Sequence, residues 1–81
     1  MAKKVIPSIK PLSSKITDAV AFGNFIKYKR TQAQLSIEEA SALCNINYRT
    51  YEKIEKGDDG AKLSTALYVA RMFGLKLDMS E

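Results

Sequence analysis

The chain is 81 residues long, with 46% apolar and 27% charged residues, a formal net charge of +4 and no histidine. A length of this order corresponds to one small domain, which buries only about 60% of its unfolded surface and gains stability from an oligomeric partner. The missing histidine excludes a histidine general base and a histidine-ligated zinc, and one cysteine excludes an internal disulfide or a thiolate cluster.

No run approaches the roughly 18 apolar residues of a membrane span, no apolar stretch follows the N-terminal lysines as in a secretory signal, and no phosphate-binding glycine loop is present. The expectation is a cytoplasmic, non-enzymatic protein with no cofactor, metal, membrane or small-molecule substrate. Cys44 reads as a small core residue, since free cysteine is usually buried.

The charge is unevenly placed. Lys3, Lys4, Lys10 and Lys15 fall in the first 15 residues, which contain no acid, while nine basic residues balance nine acidic ones from residue 16 onward. Pro7 and Pro11 break any helical period there. Residues 1–15 therefore form a basic arm, either a solvated tail or a segment that tracks a phosphate backbone, and residues 16–81 form the folded domain.

From Thr17 to about Arg30 the pattern is helical, with Thr17 as N-cap, Asp18 in the first turn and Ala19, Phe22, Ile26 and Lys29 on one stripe. Lys27, Lys29 and Arg30 suit the negative pole at its end. Ser36-Ile37-Glu38-Glu39 is a capping box that opens a short helix from Ile37 to about Cys44, its inner stripe Ala40, Leu43 and Cys44. Asn45 tolerates the left-handed conformation at the helix end. Ile46 points inward and Asn47 caps a third helix, Tyr48 to about Lys56, which stops at Gly57. Asp58-Asp59-Gly60 has strong turn chemistry. A fourth helix begins after Leu63 with Ser64 as cap and runs to Gly74.

The last stretch, Leu75-Lys76-Leu77-Asp78-Met79, alternates apolar and polar residues with the period of a half-buried strand. A lone strand needs a partner. The simplest one is the same strand of a second copy across a two-fold axis, which makes residues 75–79 the expected dimerisation element.

Two short capped helices separated by Asn45-Ile46-Asn47 have the helix-turn-helix layout, over about residues 36–56. Phe22-Gly23-Asn24-Phe25-Ile26 with Arg30, then Leu35 through Asn47, then Tyr51 through Gly57 closing in Ile54-Glu55-Lys56-Gly57, then Val69-Ala70-Arg71-Met72-Phe73-Gly74-Leu75 follow in order. Together, over residues 17–75, they resemble the lambda-repressor/Cro-like (Xre) helix-turn-helix family. The sequence departs from the family at Ile37, where a phosphate-contacting glutamine is usual, at Asn45 in place of the turn glycine, and at Tyr51 in place of a smaller aliphatic, with Ala40 and Ser41 nearby to make room.

The resemblance implies an all-α, compact four-helix lambda-repressor-like domain with an N-terminal arm and a short C-terminal dimerising strand. It places Phe22, Ile26, Leu43, Ile46, Ile54, Val69 and Phe73 in the core. It also implies a homodimer that reads a roughly palindromic double-stranded operator with recognition helices about 34 Å apart. On the third helix Tyr48, Arg49, Glu52, Lys53 and Lys56 share a polar face. Arg49 is the expected base reader, because its planar fork bonds guanine O6 and N7 together. Tyr48 is expected at a thymine methyl or a phosphate, and Glu52 at a cytosine amine or holding Arg49 or Lys56. Lys53, Lys56 and, more weakly, Arg30 are expected at phosphates. Asn47, Ser36 and the backbone at Ile37 complete the set through the helix starts. Taken alone, this face also reads as a solvated helix with i,i+4 pairs such as Glu52–Lys56.

Within the family the chain is most similar to HipB-type antitoxins, compact dimers that end in a short strand, repress their own operon and bind a kinase-like toxin. The alternatives are a phage or mobile-element repressor, a restriction-modification controller protein, which usually carries a fifth helix, and an interaction module that has lost DNA binding.

Overall fold

The computed structural model describes residues 5–13 and 15–81. Lys3 and Lys4 of the basic arm lie outside these residues. The described chain contains four helices: α1, Ala19–Gln32; α2, Ile37–Cys44; α3, Tyr48–Lys56; and α4, Leu63–Met72. This is the expected all-α architecture, and none of these helices is long and apolar enough to cross a membrane.

One local device ends all four helices. A residue with positive φ follows the last turn: Gln34 (61°), Asn45 (57°), Gly57 (73°) and Gly74 (73°). The N–H of the residue after it reaches back to a carbonyl five positions earlier, as in Leu35 to Arg30, Ile46 to Ser41, Asp58 to Lys53 and Leu75 to Ala70. This is the Schellman arrangement, in which the residue beyond the left-handed position commonly makes an apolar contact with the helix. Leu35, Ile46 and Leu75 fill that place and pack against the core. Each turn thus stops a helix, and three of the four deliver an aliphatic side chain inward; the fourth, after Gly57, is followed by the exposed Asp58.

Helix starts differ more from expectation. Asp18, rather than Thr17, caps α1, its carboxylate accepting the Ala21 N–H at 2.8 Å, and α1 runs two residues past Arg30. The Ser36–Glu39 capping box is present in full, with Ser36 N–H to Glu39 at 2.9 Å and Glu39 N–H to the Ser36 hydroxyl at 3.1 Å. Asn47 caps α3 by accepting the Arg49 N–H at 2.8 Å. Ser64 does not cap α4: the helix begins at Leu63 after Lys62, with no side-chain cap. The Asp58 side chain accepts the Gly60 N–H at 2.7 Å, and this turn brings Ala61 onto the core, so the chain enters α4 earlier.

The core consists of Ile26, Ala40, Cys44, Tyr51, Ile54, Ala66, Val69 and Ala70, with Phe22, Ile46 and Phe73 packed beside it. Leu43 is a correction. It is 55% exposed, and Ser41 is buried instead. The inner stripe of α2 is 37, 40, 41 and 44, which keeps helical spacing, whereas Leu43 lies off it. Ser41 meets its polar need by donating to the Glu38 carbonyl at 2.9 Å. On α1, Ala19 is exposed and the buried line is Gly23, Ile26 and Arg30. Cys44 is buried as expected, and burial pushes its thiol above the ordinary pKa.

Residues 75–79 form no strand. Leu75 is held by its helix stop and Met79 is 97% exposed. A segment of this kind pairs when a second backbone lies beside it, and the single chain supplies none. The described part of the arm, residues 5–13, forms neither helix nor strand, and the Ser8 N–H donates to the Thr31 hydroxyl at 2.9 Å.

α3 lies between α1 and α2, and it packs closely across α1. A Cβ on Gly23 would meet the Ile54 carbonyl oxygen at 2.6 Å, and one on Gly57 would meet the Val20 Cα at 2.6 Å. Both neighbours are backbone and cannot turn aside. Helix propensity alone favours alanine over glycine by about 1 kcal/mol, whereas overpacking costs about 1–3 kcal/mol. Gly23→Ala is therefore expected to lower stability in urea titration, by up to about 2 kcal/mol net; a stabilised variant would show that the crossing has slack.

Candidate nucleic-acid interface

α3 has two chemically distinct faces. Tyr51 and Ile54 are 0% and 3% exposed and belong to the core. Tyr48, Arg49, Lys53 and Lys56 are exposed on the opposite side, with Glu52 half-buried among them. Of the expected reading residues, the structure thus brings these five together on one outward surface. Glu52 is engaged by Lys56 at 3.7 Å, four residues on. Such an exposed pair contributes about 0.3–0.5 kcal/mol at most. Among the described residues, the side chains of Arg49 and Lys53 have neither a hydrogen bond nor an ion pair within the protein. Two uncommitted cations on one short helix face are available to an outside anion.

The two helix starts add donors. The Asn47 side-chain oxygen is used in capping, which leaves its amide N–H₂ free. The Ser36 hydroxyl oxygen accepts from Glu39, which leaves its proton free to donate. The first backbone amides of α2 and α3 are unpaired within their helices and suit a phosphate. Ile37 packs its side chain against the core, so it offers backbone alone. The Ser36 backbone N–H, and secondarily its hydroxyl, hold the Glu39 carboxyl below its ordinary value. A lowered folded pKa means this capping contribution is present at neutral pH and is lost as pH falls through it.

Arg30 is a correction. Its side chain is 9% exposed and its Nε bonds the Glu55 carboxylate at 2.6 Å, with the Glu55 side chain 6% exposed. The guanidinium also bonds the second Glu55 oxygen at 3.1 Å and the Leu35 carbonyl at 2.7 Å. A group so committed does not reach a phosphate. Instead it ties the end of α1, the approach to α2 and the last turn of α3 into one unit. The sequence signal for this partner, which the expectation of a phosphate contact at Arg30 passes over, is that Tyr51, Ile54 and Glu55 fall on one helical face and a carboxylate on a core face needs a buried cation. The Tyr51 hydroxyl lies beside Glu55 without a well-formed hydrogen bond. Burial, then the neighbouring carboxylate, push its pKa far above the usual phenol value.

Removing one partner of a buried pair leaves an uncompensated charge and costs about 3–5 kcal/mol, whereas an apolar replacement of both is often neutral. Glu55→Leu is expected to fall in that range by thermal and urea unfolding, and the double variant Arg30→Met with Glu55→Leu to regain most of the loss. A double variant no better than the single would show that the pair itself is strongly stabilising.

Comparison with known proteins agrees with this geometry. The sequence model of the helix-turn-helix family matches residues 26–79. No curated protein matches the sequence. The fold is similar to HipB in a HipB–O4 20mer complex, with a TM-score of 0.73 at 20% identity, covering 85% of this chain and 97% of that one. HipB in a HipA–HipB–O2–O3 complex gives 0.72 at 20% identity, with coverage of 85% and 97%. The restriction-modification controller protein C.AhdI from Aeromonas hydrophila gives 0.60 at 24% identity, covering 72% of this chain and 88% of that one. With the family model spanning most of the chain and the Xre signature segments folded as described, the chain belongs to the helix-turn-helix family, in its Xre branch of DNA-binding regulators.

Proposed function

We propose that the protein is a sequence-specific transcriptional repressor that binds a palindromic operator as a homodimer. The observation that carries this reading is the outward face of α3, where Arg49 and Lys53 stand exposed and unpaired within the protein. In this assignment Arg49 reads a base edge. Tyr48 and Glu52 flank it, and Lys53 and Lys56 bind phosphates with the helix starts at Ser36, Ile37 and Asn47. Arg30 is left out of the contact set because Glu55 holds it. The roughly 12 Å width of the major groove admits such a helix.

Dimerisation is supported by the small core and by apolar side chains left uncovered near the C-terminus. Tyr68, Met72, Leu77 and Met79 are 39%, 42%, 47% and 97% exposed. A second copy that pairs through residues 75–79, with Leu75, Lys76, Leu77, Asp78 and Met79 in register, covers part of this surface. The likeness to HipB, over a larger share of both chains than the likeness to C.AhdI, supports an antitoxin that represses its own operon and takes a kinase-like toxin as partner. The expected setting is the cytoplasm.

A second reading is an interaction module on this fold without DNA binding. Ile37 favours it, since its side chain sits against the core where the family usually presents a polar group.

Fluorescence anisotropy on the upstream DNA and on scrambled DNA, across a salt series, separates the two. The repressor is expected to prefer its own DNA by ~10³-fold or more, with a steep salt slope. Equal weak binding to both would support the interaction module. Arg49→Ala is expected to cost about 1–3 kcal/mol of specific affinity and relax specificity, while Lys53→Ala weakens all sequences alike and reduces the salt slope by about 1. Deletion of Leu75–Glu81 is expected to give a monomer with much weaker operator affinity by sedimentation and anisotropy. An unchanged dimer would exclude strand pairing.

A further inference from the structure

The arm has an order that its composition does not announce. Val5, Ser8 and Pro11 are half-buried, while Ile6, Ile9 and Leu12 are 81%, 90% and 103% exposed. A repeat of three in a segment with two prolines is the period of an extended polyproline-type chain, which advances about 3.1 Å per residue. One edge lies on α1, where Ser8 is bonded to Thr31, itself 3% exposed and donating to the Lys27 carbonyl at 2.9 Å. The neighbouring edge is a line of three aliphatic side chains in solvent. Single exposed aliphatics are ordinary, but a contiguous row marks a contact surface.

A groove of matching chemistry lies at the start of α1, against the α3–α4 turn and the first turn of α4. It encloses a cavity of about 360 Å³ with Phe22, Ile54 and Ala66 along its floor and Asp18, Asp58 and Asp59 at its rim. No lysine or arginine lines it. Leu63, 71% exposed, stands at its lip. Asp18 and Asp58 each accept one backbone N–H, which leaves a carboxylate oxygen of each free. The arm carries the complementary charge, with Lys10 and Lys15 exposed and no acid in the first fifteen residues.

We propose that the Ile6–Ile9–Leu12 edge of the arm docks into the acid-rimmed groove of a second copy of the chain. In one chain this edge does not enter its own groove: Ser8 is bonded to Thr31 at the C-terminal end of α1, Ile6, Ile9 and Leu12 stand 81%, 90% and 103% exposed, and none of the three lines the groove at the helix's N-terminal end. Burial of the aliphatic row is the main attraction, and the exposed charges set register and orientation. A phosphate backbone is the poorer occupant, because the outward edge presents aliphatic groups in line. The contact is separate from the α3 surface and does not depend on DNA binding.

The test uses the full chain without DNA, in a 1:1 mixture of ¹³C-labelled and unlabelled copies. Isotope-filtered NMR is expected to show intermolecular cross-peaks from the Ile9 and Leu12 methyls to Phe22 and Leu63. Ile9→Asp, at a site open enough to leave the fold intact, and Asp59→Lys are each expected to weaken a concentration-dependent association in sedimentation equilibrium. For Ile9→Asp the loss is about tenfold, or about 1.4 kcal/mol. Absence of intermolecular cross-peaks at the groove, or association unaffected by both variants, overturns the proposal. Weaker DNA binding by Ile9→Asp with association unchanged also overturns it and assigns the arm to DNA.

Discussion

The Arg30–Glu55 pair, closed over the α1–α3 crossing, is the constraint on which the geometry of the candidate interface rests. α3 is nine residues long, too short to hold its own direction in water. Its orientation comes from one turn packed against α1 at Gly23 and from a carboxylate locked to a guanidinium that also grips the Leu35 carbonyl ahead of α2. A buried pair of this type adds little net stability compared with apolar residues of the same shape. What it supplies is direction: the two oxygens and three guanidinium contacts are satisfied in one arrangement of the three segments. The outward row of Tyr48, Arg49, Lys53 and Lys56 is aimed by groups that never reach the surface.

The rest of the fold is economical because its helices stand close together. Half of the buried apolar residues are Ala40, Ala66, Ala70 and Cys44, and the larger members are Ile26, Tyr51, Ile54 and Val69. Small side chains let the backbones approach, and Tyr51 fills the space between them. Three of the four left-handed helix stops then return aliphatic residues to the same centre, at Leu35, Ile46 and Leu75. A core this small leaves apolar surface outside. Two such regions, the C-terminal face and the arm edge, are the places where a second copy has most to cover.

Much of this was legible because the signals are local. The capping box at Ser36, the cap at Asn47 and the stops at Asn45, Gly57 and Gly74 each depend on a few adjacent residues, and the boundaries of α2 and α3 follow from them. Gln34 carries no such signal; it adopts the left-handed conformation because Leu35 is drawn into the core. Leu43 misleads for the converse reason, since hydrophobicity marks it as internal while helical phase sets it outside. Arg30 shows a further limit. A cation near a helix end looks like a surface group until the inward-facing Glu55 is considered, and that pairing spans 25 residues. The C-terminal alternation is a different case, because a strand needs a second backbone beside it and the described residues place none against 75–79.

Charge placement connects the two surfaces. Residues 16–81 carry equal numbers of acids and bases, so net charge alone gives this body no attraction for a polyanion. Arg49 and the free amides of Asn47-capped α3 lie at the N-terminal end of that helix, while Asp58 and Asp59 follow its C-terminal end with Asp18 beside them. The helix dipole gives the first end a positive character, and the three carboxylates give the turn beyond the second a negative one. The domain therefore carries a charge polarity along α3, which in the proposed complex turns its N-terminal end toward DNA. In the two proposals DNA takes the outward face of α3 and the basic arm of another copy takes the acid-rimmed groove, so the contacts do not compete for one surface.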